Sequence, residues 1–134
     1  MIVADASAAV AAFAGWHDRQ EAAQRALGRS AGVVAHAAYE AYSVLTRLPD
    51  AQRAPAALVL EQLRDTFGDR WIGLSADAQR LALDRLATLG VSGGQTHDGL
   101  IAITAAAHDA RLVTLDRRAL ATYALVGADV ELVT

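Results

Sequence analysis

Short unbroken apolar runs alternate along the chain with longer stretches whose apolar positions return every three or four residues, a pattern that predicts strands and helices in turn. Ile2-Val3-Ala4 opens as a buried strand, and the Ala-rich segment from Ser7 to about Gly28 reads as one broken helix or two short ones, with Gly15 at the break. Gly32 to Ala35 makes a second strand. The helix after it carries Ala41, Val44, Leu45 and Leu48 on one face and stops before Pro49, because the residue preceding a proline is pushed out of the helical region. Asp50 is expected to cap the next helix, with Ala56, Leu60, Leu63 and Phe67 toward the core and Gly68 at its end. Trp71 to Leu74 reads as a third strand, and Ser75 as the cap of a helix bearing Ala78, Ala82, Leu86 and Leu89 that Gly90 closes. Beyond Ser92-Gly93-Gly94 a long helix is expected from about Thr96 to Ala110. A strand at Leu112 to Leu115, a short helix from Arg117 to Tyr123 and a closing strand at Val130 to Val133 complete the pattern. Strands alternating with helices predict an α/β fold, a three-layer α/β/α sandwich around a central parallel sheet. With 134 residues and no repeat or linker, one domain spanning 1–134 is expected.

Composition narrows the chemistry. The chain has no cysteine, which excludes disulfides, thiolate metal sites and cysteine nucleophiles. All 12 basic residues are arginine, so mechanisms that need a lysine, such as P-loop phosphate binding or a Schiff base, are absent. A net charge of −3 argues against a broadly basic nucleic-acid binder while leaving room for a local patch. The N-terminus lacks a basic leader region and no apolar run approaches the ~20 residues of a membrane span, so a cytoplasmic protein with no membrane partner is expected.

Four acids stand where predicted strands meet helices: Asp5, Glu40, Asp98 and Asp116. In an open parallel sheet, sites form outside the carboxyl ends of the strands. Asp5 and Asp116 leave the first and fourth strands at that edge, Glu40 follows the second, and Asp98 lies in the first turn of the helix entering the fourth. Gathered carboxylates repel and raise one another's pKa unless a cation lies between them. Hard oxygen donors select Mg²⁺, with Mn²⁺ a substitute, and such an ion serves hydrolysis of phosphodiesters. Each acid also has an ordinary structural use: Asp5 and Asp116 as helix caps, Asp98 as a partner of its helix dipole, and Glu40 as a surface residue pairing with Arg47.

The segments Ile-Val-Ala-Asp5-Ala-Ser7, Glu40 in its Ala-rich helix, Thr96-His97-Asp98-Gly-Leu-Ile-Ala-Ile and Leu-Val-Thr114-Leu-Asp116 resemble, in order and spacing, the PIN-domain ribonucleases, and more closely the VapC-type toxins. The resemblance implies strand order 3-2-1-4-5 and a Mg²⁺-dependent endoribonuclease, the toxin of a type II toxin–antitoxin pair. It implies that Asp5, Asp98 and Asp116 hold the metal and that Glu40 orients or deprotonates the attacking water. Ser7 and Thr114 would support the site. It also implies a homodimer, silenced by a VapB-type antitoxin whose arginine can meet the carboxylates.

Arg117 and Arg118, directly after Asp116, are candidates for RNA phosphates, and His97 for a leaving group or an RNA contact. His17, His36 and His108 show no ligand spacing and receive no role, and Trp16 and Trp71 fit either core or dimer surface. A haloacid-dehalogenase-type phosphatase would need a second Asp where Ser7 stands, and a lysine. A catalytically silent PIN-like module that binds RNA or a protein is the remaining alternative, against which the retention of all four acids counts.

Overall fold

The computed structural model describes all 134 residues. Five strands form one parallel sheet: β1 (Ile2–Ala4), β2 (Gly32–Val34), β3 (Trp71–Ile72), β4 (Arg111–Thr114) and β5 (Asp129–Leu132), in the order β3-β2-β1-β4-β5. Between them run α1 (Ala6–Phe13), α2 (Gln20–Leu27), α3 (Ala35–Arg47), α4 (Ala56–Phe67), α5 (Ala76–Thr88), α6 (Gln95–Ala107) and α7 (Leu120–Val126), with a 3-10 turn at Arg117–Ala119. Parallel crossovers are right-handed, so connections that travel in opposite directions along the sheet cover opposite faces. The chain moves outward from β1 to β3 through α1 to α4, then returns and continues to β5 through α5 to α7. Helix contacts follow suit, with α1 against α2 and α3, and α6 against α5 and α7.

The core explains the composition. Val3, Ala4, Val33, Val34, Leu112 and Val113 are sealed between the layers, and α1 buries Ala8, Ala9, Ala11 and Ala12, whose small side chains let it lie close against its neighbours. Gly32 is required by a close approach, since a Cβ there would run into the Arg70 carbonyl that accepts the Val33 N–H. Gly127, at φ +85°, ends α7 in the left-handed conformation and returns the chain to β5. No helix is long and apolar enough to cross a membrane.

Several local expectations shift. Asp50 does not cap α4: residues after Pro49 form a separate turn in which Asp50 pairs with Arg53 at 3.1 Å, and the helix begins after Pro55, whose missing N–H costs nothing there. The buried stripe of α4 is Val59, Leu63 and Phe67, leaving Ala56 and Leu60 exposed. The third strand ends at Ile72, so Gly73 and Leu74 lie outside the sheet, and Ala35 belongs to α3 rather than to β2. Trp16 and Trp71 are both outside the core. Ser75 caps α5 as expected, accepting the Ala78 N–H.

Candidate active site

Register brings the first acid to the last. Ala4 pairs with Val113, and the Asp5 N–H donates to the Val113 carbonyl at 3.1 Å, so Asp5 leaves the sheet beside Thr114 with Asp116 just beyond. Asp5 is 2% exposed. Its Oδ1 accepts from the Ala8 N–H at 2.9 Å, capping α1, and from Ser7 Oγ at 2.7 Å, while Oδ2 accepts from the Tyr123 hydroxyl at 2.8 Å. The cap and the site are thus the same side chain.

Ser7 is the hinge of this network. Its one proton goes to Asp5, and its oxygen accepts the Leu115 N–H at 2.8 Å. Thr114 Oγ1, 3.2 Å away, must therefore donate to Ser7, and it accepts the Asp116 N–H at 3.0 Å. The proton order runs Thr114 to Ser7 to Asp5 and ties the ends of β1 and β4 together. Asp116 itself caps the 3-10 turn, accepting the Arg118 N–H at 2.9 Å.

The other two acids arrive on helices whose N-termini point at the same rim. Asp98 lies in the first turn of α6, half-buried. Burial pushes its carboxyl up to about 6, reinforced by the charges of Asp116, Glu40 and Asp5, with His97 acting in the opposite sense. Glu40, in the second turn of α3, is raised chiefly by burial, with His97 drawing it down and Asp5 adding to the rise. Burial also raises Asp5, against the lowering pull of the polar groups around it, the Thr114 hydroxyl first, then Ser7, the Ala8 N–H and Tyr123. The Tyr123 phenol is pushed upward by burial and by Asp5, which leaves it a permanent donor. All four stand at the carboxyl edge of the sheet, Asp5 and Asp116 just after β1 and β4, Glu40 and Asp98 in the opening turns of α3 and α6.

As placed, no three of the His, Asp and Glu side chains come close enough to enclose a metal ion. The donor chemistry nevertheless suits a hard divalent cation: carboxylate oxygens without thiolates. Glu40 Oε1 is buried with no hydrogen-bond partner, and the Asp98 carboxyl is held high by burial and, after it, by its acidic neighbours. A cluster with that much uncompensated negative charge is what a cation relieves.

One site residue has no counterpart in the sequence expectations. His36, given no role above, stands one helical turn before Glu40, its Nε2 3.5 Å from Glu40 Oε1 and 2.9 Å from His97 Nδ1. The signal was present as the i,i+4 spacing of a histidine and an acid on the helix leaving β2. The alternative pairing of Glu40 with Arg47 does not form, as Arg47 donates to Ser43 Oγ instead. Arg117 and Arg118 lie exposed immediately after Asp116.

Residues 2–125 match the PIN domain family. The chain belongs to the PIN-domain family. Within it the likeness is to VapC-type proteins: the chain is 46% identical to ribonuclease VapC40 of Mycobacterium tuberculosis over 134 residues, the whole of both proteins. It is 37% identical to ribonuclease VapC27 of the same organism over 102 residues, covering 76% of this chain and 74% of that one. Two solved structures share the fold at a TM-score of 0.70. One is M. tuberculosis VapC20, described as a sarcin–ricin-loop-cleaving toxin, 15% identical over 90% of this chain and 94% of that one. The other is a chain of FitAB bound to a DNA fragment, 16% identical over 98% of this chain and 94% of that one. Family membership and strand order both agree with the sequence reading.

Proposed function

We propose that this protein is a metal-dependent endoribonuclease, the toxin of a type II toxin–antitoxin pair. What supports the reading is the position of Asp5, Glu40, Asp98 and Asp116 along the carboxyl edge of a PIN-domain sheet, with Glu40 Oε1 buried and without a hydrogen bond. Asp5, Asp98 and Asp116 hold the cation, Mg²⁺ or Mn²⁺. When bound, it supplies charge neutralisation at the phosphate oxygens and an acidified water. Glu40 orients or deprotonates the attacking water, a role suited to a carboxylate whose proton affinity burial has raised. Ser7 and Thr114 keep Asp5 oriented, and Arg117 and Arg118 receive flanking phosphates. A VapB-type antitoxin fits the acidic rim through arginine, and a homodimer completes the assembly.

Incubation with a mixed RNA pool tests this directly. Cleavage is expected with Mg²⁺ and not with excess EDTA, and Asp98→Asn should abolish it while leaving the circular-dichroism spectrum unchanged. Equal cleavage by both proteins would remove the assigned role of Asp98.

A further inference from the structure

The rings of His36 and His97 are parallel to within 1°, with centroids 5.1 Å apart and Nε2 and Nδ1 at 2.9 Å. Parallel planes lie no further apart than their nearest atoms, and 2.9 Å is less than the roughly 3.5 Å contact distance of face-stacked atoms. The rings therefore meet edge to edge in nearly one plane, joined by a hydrogen bond between α3 and α6. Such a bond needs one nitrogen to accept, so at most one ring carries a charge. The result is a flat aromatic plate wider than one imidazole and fixed at both ends by helices.

The plate is open. His97 is exposed and the His36 side chain is 34% exposed. Glu40 stands beside His36, and His36 also walls a cleft of about 130 Å³ with Ile72, Leu74, Gln79 and Leu100. Open space thus adjoins the His36 end of the plate, one helical turn from Glu40.

We propose that the His36–His97 plate is a nucleobase subsite, on which an unpaired base of the RNA lies flat while a neighbouring phosphate meets the acidic rim. The inference rests on the ribonuclease reading above. An acidic rim repels a polyanion, so contacts that do not depend on net charge add affinity beyond what the cation, Arg117 and Arg118 supply, and stacking of a base on an aromatic face is one. A plate already held rigid loses little freedom on binding. A role confined to orienting Glu40 makes the opposite prediction, since it leaves the enzyme indifferent to any one base.

The test uses an RNA oligonucleotide spanning a cleavage site mapped in the mixed pool, and copies carrying a single abasic residue at each position flanking the cut. For the wild type, one abasic position should lower kcat/KM on the order of tenfold. His97→Ala should lose a similar factor on intact RNA and show no further loss at that position. His97→Phe, which keeps a flat ring, should recover most of the loss, and His97→Leu should not. A wild-type profile with no sensitive flanking position, or the same sensitivity in His97→Ala, overturns the subsite while the ribonuclease reading stands. Absence of any Mg²⁺-dependent cleavage by the wild type overturns both.

Discussion

Replacing Asp98 by Asn should stabilise the metal-free protein while destroying its activity. Folding raises the Asp98 carboxyl from 3.8 to about 6, so between those values the folded form holds a proton that the unfolded form has released. Stability from this group is therefore fully present below pH 4 and is lost as pH rises through about 6. The free-energy equivalent of that rise is about 3 kcal/mol, and solvent screening at an open rim reduces it to roughly half. For a chain of 134 residues, ~1.5 kcal/mol corresponds to an increase of about 5 °C in Tm. Urea unfolding of wild type and Asp98→Asn in EDTA, at pH 8 and at pH 4, measures the difference directly. The variant should be the more stable at pH 8 and indistinguishable near pH 4, and Mg²⁺ at pH 8 should raise the wild type alone. A variant less stable than wild type at pH 8, or a gap that does not change with pH, would refute the claim that uncompensated carboxylate charge is stored at this rim.

Ser7→Ala should cost about 1–3 kcal/mol, because the Leu115 N–H loses its acceptor and Asp5 loses a donor, and kcat should fall more than KM rises. Chemical denaturation and steady-state kinetics on one RNA substrate read the two effects. The Arg117→Ala/Arg118→Ala double variant should raise KM by a similar factor across RNA sequences and flatten the salt dependence of binding, with kcat held; a sequence-selective loss would count against phosphate contacts. Gly32→Ala forces a methyl group into the Arg70 carbonyl between β2 and β3, and a loss of at least ~1–3 kcal/mol in urea unfolding is expected; a neutral result would mean the sheet edge yields.

Periodicity and punctuation along the chain determined the kind and order of the elements: apolar runs too short for helices, helix stops before Pro49 and at Gly68, and the Ser75 cap are all local events. With parallel strands, chain order alone also assigns Asp5, Asp98 and Asp116 to one edge, because each follows a strand or opens a helix that runs against one. What local pattern does not contain is azimuth and distance. A 3.6-residue period allows either Ala56 and Leu60 or Val59 to face inward with Leu63 and Phe67 on α4, and packing against the neighbouring helices chose Val59. Whether Glu40 turns to Arg47 or to His36 is likewise a matter of which flank of α3 meets the rim. The His36–His97 plate joins residues 61 positions apart, and it exists only because α3 and α6 converge over the sheet's carboxyl edge. A hydrogen bond at that separation leaves no periodic trace in sequence, so only the folded chain reveals it.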